Sequence, residues 1–318
     1  MSSFVRQHAP SFMLIAGEPS GDMLAAELIQ ALRETPTVQS FAFAPRFFGA
    51  GGPRMAGAGA DVVVDLCRHA VVGLSGAARQ YMKFRGYMLA LLQLARERHP
   101  DIVIGVDFSG FNLRFARALR RQLHRAPPFF GNWQPRFVQY VSPQVWASRP
   151  GRARVLAKHV DLLLCLFRFE REWYAERVPQ LRVEFVGHPM VDRHRAISSN
   201  LSHTTGPPAE ADEPPRILLL PGSRKGEIRA HLPIMLAAAE RLAKLCPPGP
   251  DAGPQSNRAL GFTVVLPDQR LREIAEPFCR PMRPRITLQV GGLGEAFAKT
   301  TVAIASTGTV TLECALFG

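Results

Sequence analysis

The chain has few features of a secreted, disulfide-bonded or membrane-spanning protein. Its 318 residues include only five cysteines, which form no C-x-x-C pair and mostly lie inside apolar runs. This pattern favours buried thiols in a reducing compartment over disulfides or a zinc site. The first residues lack the apolar core of a signal peptide, and the longest apolar runs, such as residues 162–167, are too short to span a bilayer. We therefore expect a cytoplasmic protein.

Several ligand-binding motifs are missing as well. The chain has no G-x-G-x-x-G dinucleotide fingerprint and no G-x-x-x-x-G-K-[ST] phosphate loop. It also lacks a D-x-D pair of the kind that can carry a metal–nucleotide complex. We therefore expect neither a metal nor a cofactor.

Acidic residues are scarce relative to basic ones, with 26 Asp and Glu against 39 Lys and Arg and a net charge of +13. Such a charge suits nucleic acid, anionic lipid or phosphorylated substrates. No aromatic-basic RNA-binding motif, zinc finger or helix-turn-helix spacing accompanies it, so we expect no nucleic-acid partner. A high arginine content set by genomic base composition is an alternative explanation.

What the chain does have is short apolar strand-like runs that alternate with helical patterns. They lie at residues 12–16, 43–48, 101–106, 136–141, 162–167 and 183–186, and then at 216–220, 262–266, 286–290 and 301–305. This alternation is typical of a mostly parallel sheet covered by helices on both faces. Residues 196–215, rich in Ser, Thr, Pro and acids, form a predicted linker.

The predicted fold class is α/β, with two Rossmann-like parallel-sheet domains that face a cleft. The first domain comprises residues 1–195 and the second residues 216–318. The cleft between such domains is the default ligand site. The second domain has only about four strands, fewer than a typical sheet, so we expect it to be incomplete.

Strand-to-helix turns carry the acidic residues of the first domain. Asp22 is expected to cap the helix that follows the first strand, whereas Glu18 precedes it and can face the cleft. Asp107 directly follows an apolar strand, where an acidic residue faces the ligand crevice and can act as a general base toward a hydroxyl. The alternative, that Asp107 caps the next helix, is weaker because Ser109 or Asn112 could do so.

Two turns of the second domain have the residues that suit a diphosphate. In residues 221–224, glycine permits close approach, serine offers a hydroxyl and an N–H group, and arginine supplies a cationic fork. Residues 306–309 form a similar turn, and Glu313 lies one helical turn further on. The residues predicted to bind a nucleotide diphosphate are Gly222, Ser223, Arg224, Ser306, Gly308, Thr309 and Glu313.

Seven motifs occur in one order along the chain. They are AGEPSGD (16–22), GGPRM (51–55), VD (106–107), YVSPQVW (140–146), FVGHP (185–189), LPGSR (220–224) and STGTVTLE (306–313). Together they resemble the lipid-A-disaccharide synthase family, whose members are inverting glycosyltransferases with the GT-B fold. The similarity extends from about Leu14 to the last residue.

The resemblance implies transfer of 2,3-diacylglucosamine from its UDP conjugate to 2,3-diacylglucosamine 1-phosphate. The products are the β-1,6-linked lipid A disaccharide 1-phosphate and UDP. It places Glu18 and Asp107 on acidic positions important for activity, and Arg224 and residues 306–313 on UDP-binding elements. Residues expected at the acceptor or in the cleft are Ser20, Asn112, Ser142, Trp146 and His188.

The chain departs from the family pattern in two motifs. Gly110 replaces a second acidic residue, and Arg168 replaces the proline of Pro-Phe-Glu. Two functions of other classes stay open at this point. One is a UDP-sugar epimerase of similar fold, and the other is a non-catalytic fragment that binds lipid or nucleotide.

A diacylated substrate must reach the cleft without crossing water. Residues 70–78 are apolar and lead into a helical pattern, residues 79–94, that mixes apolar and basic side chains. We expect this segment to enter the anionic surface of the inner membrane, with Tyr81, Met82 and Phe84 facing lipid. An ordinary core helix with a solvated basic edge is the alternative. A homodimer is one option for the assembly.

Overall fold

The structure, a computed structural model, describes residues 9–67, 77–125, 133–193, 195, 215–246, 260–282 and 286–317. The chain divides into two compact units, Met1–His188 and Pro189–Gly318. Residues 196–214 of the predicted linker and 70–76 of the predicted lipid-facing segment lie outside the described residues. Among the helices described, none combines the length and the apolar character needed to cross a bilayer.

The first unit is built on a seven-stranded parallel sheet in the order β3-β2-β1-β4-β5-β6-β7. Its strands are β1 (Ser11–Ala16), β2 (Arg46–Gly51), β3 (Asp61–Asp65), β4 (Ile102–Val106), β5 (Arg136–Tyr140), β6 (Leu162–Cys165) and β7 (Arg182–Phe185). The helices are α1 (Pro19–Glu34), α2 (Pro36–Gln39), α3 (Pro53–Gly57), α4 (Ala77–Arg98), α5 (Ser109–Arg125), α6 (Arg152–His159) and α7 (Arg168–Arg177).

The central strand β1 shows how helices come to cover both faces of this sheet. All six of its residues are buried, and successive side chains point to opposite faces. Met13 and Ile15 pack in one core with side chains of α4, α5, α6 and α7. Phe12 and Leu14 pack in a second core with α1 and α3. A continuous apolar run is what a strand buried on both faces requires.

The second unit has a four-stranded parallel sheet in the order β10-β9-β8-β11. Its elements are β8 (Arg216–Leu220), α8 (Lys225–Leu245), β9 (Gly261–Leu266), α9 (Gln269–Cys279), β10 (Ile286–Val290), α10 (Leu293–Ala298), β11 (Val302–Ala305) and α11 (Thr309–Phe317). Leu219 of β8 packs with α8 and α9, whereas Leu218 and Leu220 pack with α10 and α11. The predicted α/β fold class is therefore confirmed.

Some predicted element boundaries were wrong. The predicted strand at residues 43–48 begins only at Arg46, because Pro45 has no N–H to donate to a ladder, and it continues to Gly51. Gly49 has φ of 143°, and a Cβ there would lie 2.1 Å from the carbonyl oxygen of Leu14. Because this close approach requires glycine, the second half of the strand lacks the large apolar residues from which a strand is predicted. No strand was predicted at β3 and no helix at α3, which are only five residues long each.

Candidate active site

The strand ends that carry Glu18 and Asp107 are neighbours in the first sheet. β1 pairs with β4, with Ala16 opposite Val106. The strand order reverses here, because β2 and β3 extend the sheet on one side and β4 to β7 on the other. In open α/β sheets, ligands bind outside the carboxyl ends of the strands at such a reversal. The structure therefore brings the two predicted carboxylates to one end of the sheet, at its switch point.

Asp107 lies on a strained turn. Its φ is 49° and that of Phe108 is 35°, in the left-handed region that costs a residue with a side chain roughly 1–3 kcal/mol. Three hydrogen bonds hold this backbone. The Asp107 N–H donates to the carbonyl of Tyr140 (2.9 Å), and its carbonyl accepts from the side-chain amides of Asn112 (2.9 Å) and Gln139 (3.0 Å).

Asn112 and Gln139 are both completely buried. A Cβ on Gly105 of β4 would lie 2.8 Å from Gln139 Oε1 and 2.9 Å from Asn112 Cβ, so this glycine makes room for both amides. Asn112 was predicted at the acceptor or in the cleft, and the structure places it beneath the Asp107 turn. Sequence reasoning missed Gln139, although a glutamine within a buried strand was a signal that could have been noticed.

The surroundings of Asp107 favour its protonated form. Burial first, and then the charge of Glu18, raise the pKa of the Asp107 carboxyl above its usual 3.8, while a hydrogen bond from the Phe108 N–H opposes them. A pKa raised toward neutrality suits a group that takes a proton from a hydroxyl. Burial and nearby carboxylates, Asp22 first, raise the pKa of the Cys67 thiol to about 12, so this thiol stays protonated.

The prediction that Asp22 caps its own helix was wrong, because α1 begins at Pro19 and Asp22 lies inside it. Its carboxylate instead accepts the backbone N–H groups of Gly52 (2.8 Å), Arg54 (3.0 Å) and Met55 (3.0 Å). These groups open α3, where a carboxylate offsets unpaired N–H groups and the helix dipole. The role of Asp22 is structural, as expected, but it joins two motifs.

A buried glutamate, Glu170, connects the segments that follow β5 and β6. Glu170 accepts hydrogen bonds from Trp146 Nε1 (3.2 Å) and from the Phe167 N–H (3.2 Å). Burial raises the pKa of its carboxyl, although these hydrogen bonds and one from Ser142 lower it. Ser142 is itself buried and contacts the Tyr174 hydroxyl at 3.2 Å. The predicted cleft residues Ser142 and Trp146 therefore belong to one polar network.

Four rings form a row at this edge of the sheet, which we call the aromatic row. Trp146 packs edge-to-face on Phe169 with ring centroids 5.0 Å apart. Phe169 stacks on Phe167 at 6.0 Å, and Phe167 lies 5.9 Å from His188. Trp146, Phe167 and Phe169 are each more than a third exposed. Ser20, in the first turn of α1, is also exposed.

The two diphosphate-suited turns of the second unit also follow neighbouring strands. β8 pairs with β11, with Leu220 opposite Ala305, and the Ser306 N–H donates to the Leu220 carbonyl (2.9 Å). The strand order reverses between β8 and β11, so these turns lie at the switch point of the second sheet. Helices α8 and α11 both begin there, and helix N-termini favour anions.

Glu227 shapes the first of these turns. Its carboxylate accepts the backbone N–H groups of Ser223 (2.9 Å) and Arg224 (3.1 Å) and pairs with the Arg224 guanidinium (3.1 Å). Gly222 has φ of 122°, and a Cβ there would lie 2.5 Å from Glu227 Oε2. Glu227 therefore supports the start of α8. The Arg224 side chain remains 68% exposed.

The second turn has a glycine in a conformation that other residues rarely adopt. Gly308 has φ of 147°, and its carbonyl accepts from Thr311 Oγ1 at 2.6 Å. The Thr309 side chain lies outside the described residues. Burial raises the pKa of the Glu313 carboxyl and the charge of Arg193 lowers it. In the part of the chain that the structure describes, no three His, Cys, Asp or Glu side chains could hold a metal ion.

The residues predicted to face lipid differ in their environment. Met82 of α4 is 60% exposed. Phe84 is partly buried against the first core, with ring centroids 6.1 Å from Phe108 and 6.2 Å from Phe111. The Tyr81 side chain lies outside the described residues. Leu89, two helical turns after Met82, is 56% exposed.

A family model described as lipid-A-disaccharide synthetase matches residues 12–318. The chain belongs to this family. It is 33% identical over 307 residues to the lipid-A-disaccharide synthase of Coxiella burnetii (strain Dugway 5J108-111), an alignment that covers 96% of this chain and 72% of the relative. It is 35% identical over 310 residues to that of Syntrophus aciditrophicus (strain SB), with the same coverage. The protein is thus a glycosyltransferase of lipid A biosynthesis.

Solved structures with this fold come from several enzymes. The UDP-GlcNAc 2-epimerase of Neisseria meningitidis superposes with a TM-score of 0.59 at 11% identity, covering 94% of this chain and 78% of that one. The α,α-trehalose 6-phosphate synthase of Burkholderia multivorans gives a TM-score of 0.51 at 14% identity, covering 98% and 80%. Identities this low show the GT-B-like fold alone.

Two departures from the motifs of the lipid-A-disaccharide synthase family lie in well-defined places. Gly110, in the first turn of α5, is exposed and has no atom within 4 Å of the position of a Cβ, so packing does not demand glycine. Arg168 is the first residue of α7, and Glu170 accepts a hydrogen bond from the backbone N–H of Phe167, the residue that precedes the helix. The buried glutamate of that motif therefore keeps its local structural role.

Proposed function

We propose that the protein transfers 2,3-diacylglucosamine from its UDP conjugate to the 6-hydroxyl of 2,3-diacylglucosamine 1-phosphate. The hydroxyl oxygen attacks the anomeric carbon from the face opposite the leaving group. The bond from that carbon to the diphosphate breaks, and its electron pair leaves with UDP. The configuration at the anomeric carbon inverts, which gives the β-1,6 linkage.

Asp107 is the base in this proposal, and the observation that carries it is the turn at the switch point of the first sheet. The turn is strained, braced by two buried amides, and gives a carboxyl whose pKa is raised by burial and by Glu18. Strain of this kind persists where the surrounding structure over-determines it, which is common in active sites. Glu18 is the alternative base.

The second unit holds UDP in this proposal. Arg224 and the N-termini of α8 and α11 offer a guanidinium and backbone N–H groups at adjacent strand ends. Groups fixed in place before the reaction stabilise the negative charge that develops on departing UDP. Ser223, Ser306 and Gly308 lie in the two turns that precede these helices, and Glu313 is proposed to accept hydrogen bonds from the ribose.

The aromatic row and the exposed face of α4 are assigned to the lipid acceptor. Trp146 and His188 present rings to a sugar face, while Met82 and Leu89 lie two turns apart on one exposed side of α4. An apolar strip with Lys83 and Arg85 beside it suits the interface of an anionic bilayer. We propose that this side of α4 replaces the predicted triad, since Phe84 packs inward.

The test of the proposed base separates catalysis from nucleotide binding. Asp107→Ala should abolish turnover of acylated UDP-sugar while leaving the UDP dissociation constant nearly unchanged, as measured by product analysis and calorimetry. The matched control is Glu34→Ala, which removes an exposed carboxylate at the far end of α1. Near-normal turnover in Asp107→Ala would remove Asp107 from the mechanism. Conversion of UDP-N-acetylglucosamine without a lipid acceptor would favour an epimerase.

Arg224→Ala should give the opposite pattern in the same assays. Loss of a charge-assisted bond to the diphosphate should weaken UDP binding by about 1.5–3 kcal/mol. Arg229→Ala, an exposed arginine on the same helix, is the control. Unaltered UDP affinity in Arg224→Ala would exclude this residue from the nucleotide site.

A further inference from the structure

A basic groove lies in the first unit between the second half of α5, α6 and the end of α7. Its volume is about 830 Å³. Eight of the side chains that line it carry or can carry a positive charge: Arg117, Arg120, Arg121, His124, Arg154, Lys158, His159 and Arg177. The apolar side chains of Val155 and Val178 also line it.

This groove lies near the amino ends of the strands, whereas Glu18 and Asp107 follow their carboxyl ends. Helix α5 begins directly after the carboxyl end of β4 and returns toward the start of β5. Its second half therefore lies near the amino ends of the strands. The ion pair of Arg120 with Asp161 fixes this placement, because Asp161 immediately precedes β6. The groove is therefore no part of the candidate active site.

The positive charge of the groove is poorly balanced by protein carboxylates. Arg120 pairs with Asp161 and Arg177 with Glu176, but among the described residues no Asp or Glu forms an ion pair with Arg117, Arg121, Arg154 or Lys158. Burial first, and then the charges of Arg117, Lys158, Arg120 and Arg121, lower the pKa of His159, which also lines the groove. Like charges held this close repel one another unless an anion enters.

Neither helix dipoles nor an arginine-rich composition explains the groove. Cations in the last turn of a helix interact favourably with its dipole, which accounts for His124, Lys158 and Arg177. Arg117 lies two turns before the end of α5, and Arg154 lies in the first turn of α6. A general arginine excess would spread over convex surface, whereas these side chains converge on one concavity.

We propose that the basic groove binds a small soluble anion with two or more phosphate groups. Guanidinium forks match phosphate oxygens in pairs, and cations from three helices exceed what one phosphate could contact. The volume lies in the range of small-molecule sites, and a concave surface fits a discrete anion better than a flat bilayer. This inference does not depend on the proposed function.

The test uses inorganic tripolyphosphate as the probe, titrated calorimetrically into the full chain at about 0.1 M salt. The parent should bind it with one-to-one stoichiometry, and Arg121→Glu with Arg154→Glu should weaken binding at least tenfold. The control double variant, Arg241→Glu with Arg270→Glu, makes the same change of charge at exposed sites of the second unit and should bind as the parent does. Equal weakening in both, or in neither, overturns the proposal.

Two further arms keep the result unambiguous. All titrations are repeated in an Arg224→Ala background, so that the proposed UDP site does not contribute heat. If the glutamate pair fails to fold by circular dichroism, Arg121→Gln with Arg154→Gln replaces it, and at least threefold weaker binding is then required.

A lipid arm and an RNA arm separate the other sources of phosphate. The parent and the groove variant should bind phosphatidylglycerol vesicles equally, and a single-stranded RNA should not compete with tripolyphosphate at matched phosphate concentration. Loss of vesicle binding in the groove variant with no tripolyphosphate binding in the parent would make this surface a membrane contact. RNA binding that the groove variant abolishes would make it a nucleic-acid site. Either result overturns the proposal.

Discussion

Asp107 occupies a backbone conformation that residues with a side chain seldom adopt, and the residues that hold it there lie on other strands and helices. Asn112 comes from α5 and Gln139 from β5. Replacing either amide by an apolar group leaves the Asp107 carbonyl with one hydrogen bond, and replacing both leaves it unsatisfied, which costs roughly 1–3 kcal/mol. The position of one carboxyl therefore depends on a network that reaches across three strands.

The raised pKa of Asp107 has a consequence for stability. The folded-state pKa lies above the usual 3.8, so the contribution of this group to folding is fully present below that pH and is lost as the pH rises through the folded-state pKa. Asp107→Asn stays neutral throughout. We expect the variant to be more stable than the parent near pH 7.5, with the difference vanishing below about pH 3.8.

Urea unfolding followed by circular dichroism from pH 3.5 to pH 8 measures this difference. Glu34→Gln, at an exposed position, is the control and should stay within about 0.5 kcal/mol of the parent. A parent that is more stable than Asp107→Asn at pH 7.5 would contradict the prediction.

At the scale of a single element, α4 combines two roles on different sides. Phe84 packs against the first core, whereas Met82 and Leu89 are exposed. Met82→Ser with Leu89→Ser should reduce binding to anionic vesicles several-fold and leave the fold intact, because neither side chain is buried. Sedimentation with phosphatidylglycerol vesicles at low and high salt measures the effect.

The matched control for α4 is Ile234→Ser with Leu245→Ser, which removes two exposed apolar side chains from α8. Vesicle binding should be retained in this variant. If the α4 variant binds vesicles as the parent does at both salt concentrations, this side of α4 is not the membrane contact.

Elements also show what the sequence could and could not predict. The ends of β1, β4, β8 and β11 were predictable because apolar runs stop at polar, glycine-containing turns. The pairing of β1 with β4 could not be predicted, because hydrophobic periodicity is local and carries no information about which strands pair. For the same reason the sequence did not show that Asp22 binds the start of α3, thirty residues away. It also did not show that Phe84 packs against the core rather than facing lipid.

At the scale of the whole molecule, each unit has its own apolar cores. Phe115 is fully buried in the first unit and Phe262 in the second. Truncating either to alanine should cost about 3–5 kcal/mol. In Phe115→Ala, hydrogen exchange should accelerate more in β1 and β4 than in β8 and β9, and Phe262→Ala should show the reverse.

Ile234→Ala, at a site 71% exposed, is the control and should change the unfolding free energy by no more than about 0.5 kcal/mol. Uniform acceleration across both sheets in either phenylalanine variant would show that the two units open as one cooperative body.

The strand order of the first sheet makes folding during synthesis slow to complete. β1 precedes β4 along the chain by many residues, yet the two strands pair inside the sheet, and β4 ends only at Val106. At about 5–20 residues per second, the wait lasts on the order of 5–20 s. During that time a strand with five apolar residues in six has an unpaired edge, and such edges aggregate. The nascent chain should therefore depend on a holding chaperone until the fourth strand arrives.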